Sequence, residues 1–177
     1  KTTAVDAILT LLIPSNLRWY NLSSDSVKKR ERDVENYVRG AYGNSGDGVI
    51  NYLRDKSTLS VLNGIFEDPS EERAVSLLQV RYFSGDRLDT KYVITDRELT
   101  VGEIDRALTK EGERLAPDGK WRKVLSQKCS SRLFESFTAY KTYFMDKFGF
   151  RSDNALKLFS QTVGMKVLGD ITEFVRN

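Results

Sequence analysis

Three runs rich in Val, Leu, Ile, Phe and Tyr, at Leu59 to Phe66, Ala74 to Phe83 and Lys91 to Thr95, lie close together in the middle of the chain. Turn signals separate them: Glu67-Asp68-Pro69-Ser70 and Ser84-Gly85-Asp86. β-Branched and aromatic residues fit a pleated surface, while Pro and Gly mark where the chain reverses, so the spacing predicts an antiparallel meander. Helical patterns flank it. Val5, Ile8, Leu9 and Leu12 fall at i, i+3, i+4 and i+7, one apolar stripe that ends before Pro14. Thr100 and Glu103 form a capping-box pattern ahead of Ile104 and Leu108. Ser131 to Phe148 reads as the longest helix, with Phe134, Phe137, Tyr140 or Lys141, Phe144 and Phe148 as a packing stripe and Gly149 as its stop. Ser152 caps a short helix from Asp153 to Phe159, a loop follows from Gln161 to Gly169, and Asp170 with Glu173 opens a last helix. Pro14 to Gly48 reads as irregular to mixed, closing on the turn Asn44-Ser45-Gly46-Asp47-Gly48, and Ala116 to Lys120 as a loop. The class is α+β, a single lobe over 1–177.

Side-chain chemistry narrows the function. The 177 residues contain no histidine and one cysteine, Cys129. That removes Ser/His/Asp and Cys/His catalysis, histidine metal sites, multi-cysteine zinc sites and intrachain disulfides. Cys129 reads as a core or surface thiol. Phosphoryl chemistry survives, because lysine, hydroxyls, carboxylates and Mg²⁺ suffice for it. No apolar run approaches the about 20 residues of a membrane span, so the expectation is a cytoplasmic protein with no membrane partner. The net charge of +3 is too small to imply nucleic-acid binding by itself. Lys28, Lys29, Arg30 and Arg32 cluster with Glu31 and Asp33 interleaved, just after Trp19 and Tyr20. Such a cluster is either a solvated face or a contact to DNA phosphates.

The first residues carry the sharper signal. Lys1-Thr2-Thr3 matches the end of a phosphate-binding loop, G-x-x-x-x-G-K-[ST], in which the lysine reaches the β and γ phosphates and the hydroxyl binds Mg²⁺. The helix expected from Val5 to Leu12 begins at this point, as the motif requires, and a helix N-terminus itself favours an anion. The loop's glycines lie outside the sequence. No Walker B pattern follows, since Phe66-Glu67-Asp68 runs into Pro69 in a turn context.

Three blocks taken together resemble one family: Lys1 to Pro14; Lys28-Lys29-Arg30-Glu31-Arg32-Asp33 with Tyr37-Val38-Arg39-Gly40-Ala41-Tyr42-Gly43; and Leu158 to Lys166 with Gly169 to Arg176. The chain resembles, nearly end to end, the N-terminal head lobe of the SMC-like ATPases of bacterial Wadjet anti-plasmid systems, relatives of MukB. The resemblance implies one lobe of an ABC-type P-loop head, part of a longer polypeptide whose coiled coil and C-terminal lobe lie outside this chain. It implies ATP and Mg²⁺ as cofactors, with Lys1, Thr2, Thr3 and Gln161 binding nucleotide, and Thr2 and Gln161 on the metal side. It implies as partners the C-terminal head lobe, a second head in a homodimer, a kleisin-type subunit and DNA, with Lys28, Lys29 and Arg30 as DNA-contact candidates. ATP hydrolysis would drive DNA loop extrusion or plasmid restriction, and this lobe would be inactive without the C-terminal one. The alternative from a different class is a non-catalytic module that binds nucleic acid or protein.

Overall fold

The computed structural model describes residues 2–15, 34–44, 49–110, 113–114, 120–128 and 130–165. In chain order, helix α1 (Thr2–Leu12) is followed by α2 (Val34–Arg39), the strands β1 (Ala41–Asn44) and β2 (Ile50–Tyr52), and the long strands β3 (Ser60–Asp68), β4 (Arg73–Ser84) and β5 (Arg87–Thr95). Then come α3 (Val101–Leu108), the two-residue strands β6 (Thr109–Lys110) and β7 (Glu113–Arg114), α4 (Lys120–Lys128), β8 (Arg132–Phe134), α5 (Phe137–Lys147) and α6 (Asp153–Met165). The expected meander is the centre of the molecule: β3, β4, β5 and β8 form one antiparallel sheet in that order. The class is α+β.

Because side chains alternate across a strand, β4 serves two cores at once. Leu78, Val80 and Tyr82 point to one side, where Val93, Leu99, Ile104, Ala107, Leu108, Trp121 and Leu125 join them under α3 and α4. Leu77 points to the other, packed with Ile94, Leu9, Leu11, Leu12, Ile13, Tyr140, Phe144, Met145 and Leu156 from β5, α1, α5 and α6. The result is a three-layer arrangement, with helices on both faces of an antiparallel sheet. All of Ser76 to Phe83 is buried, the polar Ser76, Gln79 and Arg81 included, because both faces of this strand are covered.

The element boundaries follow local chemistry. The α1 helix ends as its spacing predicts: Ile13 N–H still donates to Leu9 O at 2.9 Å, and Pro14 has no N–H with which to continue. Its buried side is shifted from the expected stripe, however. Ile8 is 43% exposed, while Leu9, Leu11, Leu12 and Ile13 are buried, because the sheet covers mainly the helix's C-terminal turn. Gly64 on β3 makes this approach possible; a Cβ there would lie 2.9 Å from Leu11 Cδ1. At α3 the capping box forms, Thr100 Oγ1 accepting from Glu103 N–H while Glu103 accepts from Thr100 N–H at 3.0 Å. Phe66, Glu67 and Asp68 end β3, and the Asp68 carboxylate accepts from Ser70 N–H and Oγ–H at 3.0 and 2.6 Å, holding the turn that Pro69 signalled.

Four expectations need correction. Residues 132–134 are not the start of a long helix but the strand β8, which pairs with Tyr92, Val93 and Ile94; Ser136 then caps α5 through Ala139 N–H. The last described helix does not stop at Phe159 but continues to Met165, so Gln161 is helical and not in a loop. Within the stretch read as irregular to mixed lie α2 and β1, which pairs with β2 just beyond it. Lys120, placed in a loop, opens α4, a helix whose two buried anchors Trp121 and Leu125 are spaced i, i+4. The Gly149 stop stands, with φ +67° and its N–H donating to Asp146 O. The expected helix opened by Asp170 and Glu173 lies outside the described residues, as does Cys129.

Candidate functional site

Helix α1 starts at Thr2 and carries no acidic residue in its first turn. The first N–H groups of a helix have no intrahelical partner, and no carboxylate within that turn offsets the positive end of the dipole, so the donor set fits a phosphate. The structure describes Thr2 and Thr3 as backbone of this first turn; Lys1, Lys28, Lys29 and Arg30 lie outside the described residues. Gln161 sits on the exposed side of α6, next to exposed Leu158 and Phe159, while Leu156 and Ser160 face inward. The α1 and α6 helices pack against each other on the same side of the sheet. The fold therefore brings together the two helices that carry the nucleotide-site candidates. Among the described residues, no group of three or more His, Cys, Asp or Glu side chains is placed to hold a metal ion.

At the other end of α1 lies a buried polar group that hydropathy does not reveal. Gln79 and Arg81 are 0% and 2% exposed, and both sit on the α1 side of β4. The Gln79 amide donates to Thr10 O at 3.0 Å and Leu11 O at 3.3 Å, carbonyls that a helix ending there leaves unsatisfied. Its Oε1 accepts from Arg81 Nη2 at 2.5 Å. Tyr140 lies beside them, and burial pushes its hydroxyl pKa well above the ordinary tyrosine value, while Gln79 and Arg81 pull the other way. A signal for this pair exists in the sequence: two polar residues at i and i+2 inside an apolar strand lie on one face, and a buried arginine needs partners there.

Arg81 also lines a cleft of about 360 Å³ with Tyr37, Val38, Arg54, Thr58, Leu59, Ser60, Val61 and Leu62. The cleft forms where α2 and the β1–β2 hairpin meet the start of β3, and Ser60 pairs directly with Arg81 across the ladder. The hairpin is tied to α2 by several bonds: Leu53 N–H donates to Gly40 O, Arg54 N–H to Arg39 O, and Tyr52 Oη–H to Asn36 Oδ1. The Arg39 guanidinium lies 3.5 Å over the Tyr52 ring. Arg54 Nη1 donates to Val38 O at 2.8 Å, which fixes the guanidinium at the cleft.

Elsewhere several charged groups are engaged in surface pairs. Arg97 with the Thr100 cap holds the Glu103 carboxyl down to about 2, and Lys91 with Arg122 lowers Glu135. Asp96 raises Lys147. No helix among the described residues is long and apolar enough to cross a membrane. No protein-family model, curated protein or solved structure matches the chain.

Proposed function

We propose that this chain is the ATP-binding N-terminal lobe of an SMC-like, ABC-type ATPase head of the Wadjet kind, which couples ATP binding and hydrolysis to DNA loop extrusion or plasmid restriction. The observation that supports the reading is the helix α1 that follows the Lys1-Thr2-Thr3 motif: an amphipathic helix docked on an antiparallel sheet, with no carboxylate among its first described residues. Lys1 and the first-turn N–H groups would hold phosphate oxygens, Thr2 the Mg²⁺ ion, and Thr3 a neighbouring oxygen. Gln161 would reach the metal and γ phosphate from α6. Bound Mg-ATP supplies the phosphoryl group, and the attacking water requires a carboxylate from the C-terminal lobe. The exposed Leu158 and Phe159 beside Gln161 suit a face that such a lobe, or a second head, covers. DNA contact through Lys28, Lys29 and Arg30, with a kleisin-type subunit in the assembly, belongs to the same reading.

The test is Lys1→Ala in the full-length protein. Mg-ATP affinity measured by calorimetry should fall at least tenfold with loss of turnover; unchanged affinity rejects the assignment.

A further inference from the structure

We propose that β3 is a dimerisation edge, which pairs antiparallel with β3 of a second copy of this chain about a two-fold axis at Gly64 and joins the two sheets into one. The central sheet has two edges. One is β8, three residues long and bearing the exposed Arg132, a short charged edge of the kind that resists pairing. The other is β3, which has none of these defences. It runs nine residues, Ser60–Asp68, without lysine, arginine or proline and with no bulge in its register to β4. Among the described residues, no strand other than β4 pairs with it. A row of outward N–H and C=O groups of that length is a template for one more strand.

The residues of the edge select a second copy as the strand. Side chains alternate between faces, so a copy related by a two-fold axis through the sheet must set even positions against even ones to keep each face on its own side. Centring on Gly64 does this for all nine residues. Leu62 then meets the partner's Phe66 on the α1 face, and Ile65, 40% exposed, meets the partner's Asn63. Ser60 and Val61 meet the partner's Asp68 and Glu67, so no like charges oppose each other, whereas a parallel in-register pair would set Glu67 against Glu67 and Asp68 against Asp68.

The acidic end of the strand also finds a cation. The cleft beside the start of β3 is lined by the five consecutive residues 58–62, although side chains alternate, so it follows the edge of the strand and leaves room for a partner's end. Exposed Arg54 lines the same cleft, where the partner's Glu67 and Asp68 arrive. At the axis, α1 adds apolar surface. Leu11 rests against Gly64, and the exposed Ala4 and Ile8 continue its stripe at i, i+4 and i+7. The interface uses neither Lys1 nor Gln161, so it forms without nucleotide.

The experiment is sedimentation velocity of the purified protein without nucleotide over a concentration series, with hydrogen exchange on the same samples. A dimer should form, and β3 amides should gain protection as concentration rises while those of α6 do not. Ile65→Lys and Arg54→Glu should each weaken the dimer by about tenfold. Adding Glu67→Arg to Arg54→Glu should restore it, which damage to the fold would not allow; no restoration rejects the register. Val101→Lys, at the exposed start of α3, should leave the dimer unchanged. A monomer at every concentration overturns the proposal, as does a dimer that needs Mg-ATP, is lost in Lys1→Ala and protects α6. Protection of β3 that is equal at all dilutions also overturns it, because the edge is then covered within one polypeptide. Should Arg54→Glu fail to fold by circular dichroism, Ile65→Lys against Val101→Lys decides, and equal dimerisation of the two rejects the pairing.

Discussion

Gln79 donates to two carbonyls at the end of α1 and accepts from Arg81, so replacing it by leucine removes three partnerships at once. Each buried polar group left without a partner costs about 1–3 kcal/mol, and the loss falls on a fully buried site. Gln79→Leu is therefore expected to destabilise the protein by about 3 kcal/mol in urea titration, more than the truncation of an apolar contact of similar size on the surface. A change under about 1 kcal/mol would mean that water or a rearranged Arg81 takes over. None of this was legible from hydropathy, which scores Gln79 and Arg81 as interruptions of an apolar strand. The same residues explain why α1 keeps Val5, Leu9 and Leu12 of its predicted stripe against the core but not Ile8: the sheet binds the end of the helix at Thr10 and Leu11.

Elements with strong local chemistry were readable, and those decided by distant pairing were not. The capping box at Thr100 and Glu103 and the glycine stop at Gly149 both formed as the sequence indicates, because each closes within a few residues. By contrast, 132–134 carries the aromatic spacing of a helix, yet its backbone pairs with β5 and the helix begins only at Phe137. That pairing depends on residues some forty positions away, which periodicity cannot see. The hairpin after α2 was hidden similarly, in a polar stretch where Tyr52 and Asn36 meet. The cap of α3 makes a prediction at this scale. Thr100→Ala should cost about 1 kcal/mol. Glu103 ionises at about 2 instead of its ordinary 4.5, so it contributes stability that is fully present above 4.5 and is lost as pH falls toward 2. Melting temperatures of the wild type and Glu103→Gln should thus differ at neutral pH and converge near about pH 2; a constant gap would show that the Arg97 pair and the cap are not the source.

At the scale of the whole molecule, β4 is the shared wall of two cores, one under α3 and α4 and one under α1, α5 and α6. Removing a buried leucine typically costs about 2–5 kcal/mol, and Leu77 and Leu78 are adjacent residues facing opposite ways, both fully buried. Leu77→Ala and Leu78→Ala should each lower stability by about 3 kcal/mol and shift the same transition. Urea unfolding followed by the fluorescence of buried Trp121, in a Trp19→Phe background, should coincide with loss of helical circular dichroism in both variants. Two separated transitions would mean that the layers unfold independently. The meander, the class and the end of α1 before Pro14 could be read from the chain; the cleft could not, because its lining comes from α2, the segment between β2 and β3, and two strands that only the fold assembles.

The bond from Gln79 to the end of α1 has a mechanical meaning. A helix pinned by two hydrogen bonds in a dry layer cannot pivot about its last turn without tearing them, so α1 and the central strand travel as one lever. Any displacement of the first turn of α1 is delivered to β4 and, through it, to both helical layers.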